Sequence, residues 1–140
     1  MNKNQIIDAF NNHFIEFITD VERVFPSDSD ISLARKSISK SVVLLPKLLI
    51  RLYNEYFVAH YSREIEQGNL DFFVENNYRS TYGYKENDDA WAMAKIDCLR
   101  EPVKNMNADD KEKVIQYLKN LKKLSDLYLE CKSESKKDKN

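Results

Sequence analysis

The sequence predicts an all-α fold, a single-domain bundle of five to seven helices around a central helix near residues 46–67. Three observations predict it. Turn formers are scarce: two glycines (Gly68, Gly83) and three prolines (Pro26, Pro46, Pro102) punctuate 140 residues, so few places allow a strand to reverse. Apolar residues recur at steps of three and four over long stretches. Seven Phe, eight Tyr and one Trp supply the volume for a core that needs neither disulfide nor metal.

A first helix is expected from about Lys3 to Phe25. Ile6, Phe10, Phe14, Phe17, Val21 and Val24 form its apolar stripe, widened by Ile7, Ile18 and Phe25. Pro26 ends it, because the residue before proline avoids helical angles. Ser27-Asp28-Ser29-Asp30 carries N-cap chemistry for a shorter second helix, near Ile31 to Ser41. The central helix opens with Pro46, which suits a first turn. Leu45, Leu48, Leu49, Leu52, Tyr53, Tyr56 and Phe57 give it a stripe wide enough for neighbours on two sides, and Gly68 closes it. A brief helix capped by Asn69 covers Leu70 to Asn76. The residues from Tyr78 to Asp88 lack periodicity and read as a joint. Helix resumes near Asp89, and Pro102 kinks or splits it. Asn107, Asp109 and Asp110 mark the start of a last helix, about Ala108 to Cys131, with Val114, Tyr117, Leu118, Leu121, Leu124 and Tyr128 along one face. The predicted domain is thus residues 1–131, and the charged residues 132–140 have nothing to bury and are expected to be a disordered tail.

Net charge is −1, so no overall field marks nucleic acid or an anionic membrane as partner. The longest apolar stretch, Val42 to Ile50, is broken by Pro46 and Lys47 and falls far short of the ~20 residues a membrane span needs. The N-terminal residues lead into an amphipathic pattern rather than a signal core, so an intracellular, non-secreted protein without membrane association is expected. Cys98 and Cys131 sit in no metal or redox spacing and read as reduced thiols.

Candidate chemistry is thin. His60 and Glu64 are four apart and share a helix face, but one such pair is not a zinc site. Cys98 stands beside Asp97, which disfavours a thiolate. Asp88-Asp89 and Asp109-Asp110 lie at helix starts, where capping accounts for them. No phosphate-cradling, dinucleotide or HExxH motif occurs. No catalytic residue, metal ligand or cofactor is therefore expected, and the protein reads as a non-enzyme.

Two features point outward. Tyr78, Arg79, Tyr82 and Tyr84 have interface composition, rigid aromatic area with polar tips, and are the predicted protein-binding residues. From Ile31 through Asn54 there is no acidic residue, while Arg35, Lys36, Lys40, Lys47 and Arg51 are basic, which offers an alternative nucleic-acid patch.

The order of pieces carries a resemblance. A first helix closes on Val24-Phe25-Pro26-Ser27-Asp28. Glu64-Ile65-Glu66-Gln67 leads to Asp71-Phe72-Phe73-Val74-Glu75-Asn76, and the late helix opens with Asn107-Ala108-Asp109-Asp110-Lys111. Over roughly residues 6–128 this resembles small uncharacterised helical proteins encoded by nucleocytoplasmic large DNA viruses of algae and protists. The chain departs from that pattern after Leu99, where Arg100 stands in place of a tryptophan. The resemblance carries over no catalytic or ligand residue. It implies a viral protein, virion-associated or acting in the host cytoplasm. The expected function is that of a structural or adaptor protein that binds a viral or host protein, with homo-oligomers also admitted by the aromatic excess.

Overall fold

A computed structural model describes residues 1–75 and 87–138, and among them every regular element is a helix. Helix α1 (Lys3–Val24) starts in a capping box, in which the Asn2 side chain accepts from the Gln5 N–H and the Gln5 side chain accepts from the Asn2 N–H. Its apolar stripe is buried as the spacing requires, from Ile6 to Val21, whereas Val24 stays outside. Helix α2 (Ser29–Leu44) is capped by Asp28, whose carboxylate accepts from the N–H groups of Asp30 and Ile31. It buries Ile31, Ala34 and Ile38, a narrow face, against α1.

The central helix is less regular than its apolar pattern implies. Helix α3 (Leu48–Leu52) passes into a π-helical turn, Tyr53–Val58, and then into α4 (Ala59–Gln67), where Tyr61 itself leaves helical angles at φ −129° and ψ 25°. Neither glycine nor proline causes the widening. Buried Leu48, Leu49, Ile50, Leu52, Tyr53, Tyr56 and Phe57 already occupy a broad arc. At 3.6 residues per turn Ile65 would fall well round from that arc. The wide turn and the break at Tyr61 both lie between that arc and Ile65, and together they reset the rotation so that Ile65 is buried. Gly68 then ends α4 at φ 72°, with the Asn69 N–H bonded to the Glu64 carbonyl at 2.9 Å. A Cβ on Gly68 would stand 3.2 Å from Ile115 of the last helix, so the position is confined by packing as well as by its left-handed backbone.

Helix α5 (Asp71–Glu75) is opened by Asn69, which accepts from the Asp71 N–H, and it buries Phe72 and Phe73. Helix α6 (Asn87–Asp97) breaks at Cys98–Leu99, and α7 (Arg100–Lys104) holds Pro102 in its first turn, where the missing donor costs nothing. The split thus falls before the proline rather than on it. Arg100 secures this break: its Nε donates to Asp97 at 2.7 Å, another nitrogen donates to the Phe73 carbonyl, and the guanidinium lies over the Phe73 ring. Helix α8 (Ala108–Asp138) is capped by Asn107, which accepts from the Asp110 N–H. Its backbone stays helical to Asp138, beyond the end at Cys131 that the apolar stripe marks.

The core lies where α8 packs along α1, the π turn and α4. Rings fill it. Phe17 meets Phe14, Phe73 and Tyr117 at centroid distances of 6.0, 6.3 and 5.5 Å, and Tyr53 stacks on Phe57 at 5.2 Å. Each such ring contributes roughly 1.5–3 kcal/mol by leaving water. Two polar side chains are bonded within it: the Tyr53 hydroxyl donates to the Leu118 carbonyl at 2.6 Å, and Ser125 bonds to Asn54. Among the described residues no helix is long and apolar enough to cross a membrane.

Candidate functional site

Where α2 hands over to α3 the chain leaves four consecutive apolar residues outside. Val43 and Leu44 are each 79% exposed, Leu45 is 43% exposed, and Pro46 is exposed too. Single exposed leucines are ordinary, but an uninterrupted run on a helical corner is not accounted for by folding. The run borders an open groove of about 410 Å³. Leu44, Leu45, Pro46 and Leu48 form its apolar walls, and Lys47, Arg51 and Asp88 supply its polar edge.

The corner has a fixed shape. The Leu45 N–H closes α2 on the Ser41 carbonyl at 2.7 Å, and the Leu48 N–H bonds back to Leu45 at 3.1 Å. The buried Asn11 side chain of α1 reaches across and donates to the Pro46 carbonyl at 2.9 Å. Beneath the groove, Arg51 makes two bonds to Asp89, at 2.6 and 3.2 Å, and lies 3.5 Å from Glu55. Asp89 is fully buried and also accepts from the Tyr56 hydroxyl at 2.9 Å. The two charges and the phenol satisfy one another, so the carboxylate is tolerated out of water. Asp89 stands in the first turn of α6, as expected, and its side chain has a further role that capping does not describe: it ties α6 to α3 beneath the groove.

Of the basic residues predicted from residues 31–54, two are taken up by acids of the fold. Arg35 is half-buried, and its Nε donates to both Glu22 carboxylate oxygens, at 2.9 and 3.0 Å. Arg51 is engaged with Asp89 as above. Lys36 and Lys40 stand exposed on the outer side of α2, and Lys47 is exposed in the turn. The predicted contact residues Tyr78, Arg79, Tyr82 and Tyr84 lie outside the described residues.

A second polar cluster lines the groove between α1 and α8. Tyr117 donates to Asp20, and its ring lies 4.8 Å from that of His13, whose Nδ1 is 3.4 Å from Glu16. Burial, together with the bond to Asp20, pushes the Tyr117 phenol well above its usual range, so it remains a donor. Lys122 is held charged by bonds to Asp126 and Glu66, against burial, and its pKa is raised. The Tyr117–Asp20 and Lys122–Glu66 contacts join helices. The Cys98 thiol is raised too, first by burial and then by Asp30, which is the opposite of what a nucleophile needs. Both cysteines are free. His60 packs on Tyr61, while His13 packs on Tyr117. Among the described residues no three His, Cys, Asp or Glu side chains are grouped to hold a metal.

Compared with known proteins, the chain matches no family model, no curated protein and no solved structure. The apolar corner was partly visible in the sequence as the stretch from Val42 to Ile50. Which half of that stretch faces out was not, because it depends on how α1 and α6 close over α3.

Proposed function

We propose that this is a non-enzymatic interaction protein, an adaptor or structural component that binds another protein through the α2–α3 corner. The observation that carries the reading is the exposed run Val43-Leu44-Leu45-Pro46 beside a groove whose backbone is already fixed. A rigid apolar concavity loses little conformational freedom when a partner fills it. Tyr78, Arg79, Tyr82 and Tyr84 remain a second contact surface on composition alone. The resemblance to proteins of large DNA viruses favours a virion or an infected cell as the setting.

Nucleic-acid binding is the weaker reading, because Arg35 and Arg51 already serve Glu22 and Asp89. It requires a gel shift that fades steeply with salt.

Affinity purification from the native context, followed by mass spectrometry, tests the leading reading. The intact chain should retain a stoichiometric protein partner that the double variant Val43→Ser/Leu44→Ser releases. Equal capture by both would remove the corner from the contact surface.

A further inference from the structure

Resting on that reading of the corner, we infer that its occupant is an acidic amphipathic helix of the partner protein. The argument is one of charge and spacing. On α2, Leu33, Lys36, Lys40 and Leu44 follow at three- and four-residue steps, so they form one stripe directed away from buried Ile31, Ala34 and Ile38. Leu33 is 55% exposed, so this stripe is apolar at both ends and cationic between. Lys47 extends it into the groove. No acidic side chain occurs from Ile31 to Asn54. The fold neutralises the two arginines of this stretch with Glu22 and Asp89, and it leaves Lys36, Lys40 and Lys47 with no ion pair among the described residues.

Lys36 and Lys40 are one turn apart, about 5–6 Å along the axis. Carboxylates four residues apart on a facing helix have the same spacing, and apolar side chains on the neighbouring stripe of that helix would enter the groove. The groove, of about 410 Å³, is open along one side and has room for such side chains. A flat anionic surface fits less well. It would press on Asp88 at the groove edge while it met the lysines, whereas a helix presents acids to the lysines and apolar groups to the groove. Duplex DNA would leave Val43 and Leu44 uncovered.

The test uses a displayed library of random helical peptides, selected on the full chain, with phosphatidylserine vesicles and duplex DNA run in parallel. The selected peptides should carry Asp or Glu at three- or four-residue spacing beside an apolar stripe. Their affinity should fall about tenfold or more for Lys36→Gln/Lys40→Gln/Lys47→Gln. It should fall again for Val43→Ser/Leu44→Ser, with circular dichroism unchanged in both. Neutral or basic apolar peptides that are lost with the serine variant but unaffected by the lysine variant would overturn the acidic partner and leave the corner reading standing. Peptides indifferent to both variants would overturn both. Tighter binding of vesicles or DNA through the same lysines, or no enriched peptide at all, would also overturn the inference.

Discussion

Along the seam between α1 and α8, Phe14, Phe17 and Tyr117 close on one another and Tyr117 bonds to Asp20. At the α2–α3 corner, Val43, Leu44 and Leu45 face solvent over a turn that Asn11 and Arg51 hold in place. Both regions are rich in large apolar side chains, and both have a well-bonded backbone. Among the described residues, they differ in whether a second helix covers the apolar side. The seam spends its side chains on holding helices together. The corner keeps them available, and only its underside is committed to the fold.

The contrast breaks most visibly at Phe17. Truncation to Ala removes a nearly fully buried ring that touches three others, and urea unfolding should lose about 3–5 kcal/mol. A loss below about 1 kcal/mol would mean that the seam is not the core. The next largest effect belongs beneath the corner. Asp89→Asn removes the buried charge that Arg51 and the Tyr56 hydroxyl meet, while Arg51 keeps Glu55 and some water, and should cost about 1–3 kcal/mol. A value near zero would show that the floor of the groove is not fixed by this bridge.

How far these regions could be read from sequence differs in the same way. The seam was legible, because the stripes of α1 and α8 are local, periodic patterns, and the caps at Asp28, Asn107 and Gly68 carry their own chemistry. The corner was legible only as an apolar stretch. Its floor depends on Arg51 meeting Asp89 across 38 positions, and no local pattern records such a pairing. Asp89 therefore looked like a capping acid. The π turn was hidden as well: no glycine or proline announces it, and none marks the break at Tyr61. Arg100, noted only as a departure from a pattern, proved to join α7 to α5.

A smaller effect sharpens the comparison through pH. Tyr117 ionises in the unfolded chain at about pH 10, and its folded pKa is higher because of burial and the bond to Asp20. Its contribution is therefore complete below about pH 10 and is lost as the pH rises further, because the unfolded state releases its proton first. Lys122, raised by Asp126 and Glu66, acts with the same sign over the same window. Unfolding free energy should fall above about pH 10. Tyr117→Phe should lose about 1 kcal/mol at neutral pH and then show a shallower alkaline decline. An identical alkaline slope in the variant would deny Tyr117 its part in the seam.

The smallest expected change in stability lies at the corner itself. Val43→Ser/Leu44→Ser should unfold within about 0.5 kcal/mol of the intact chain, as surface substitutions do. A loss of more than about 2 kcal/mol would mean that these side chains belong to the core after all.

The central claim, that the uncovered apolar corner is where another protein docks, is tested most directly by site-specific photocrosslinking in the native context. A photoreactive side chain in place of Leu44 should attach covalently to one protein species, and the same group in place of exposed Lys123 on α8 should not. Equal crosslinking from both positions, or none from position 44 while a partner still co-purifies, would contradict it.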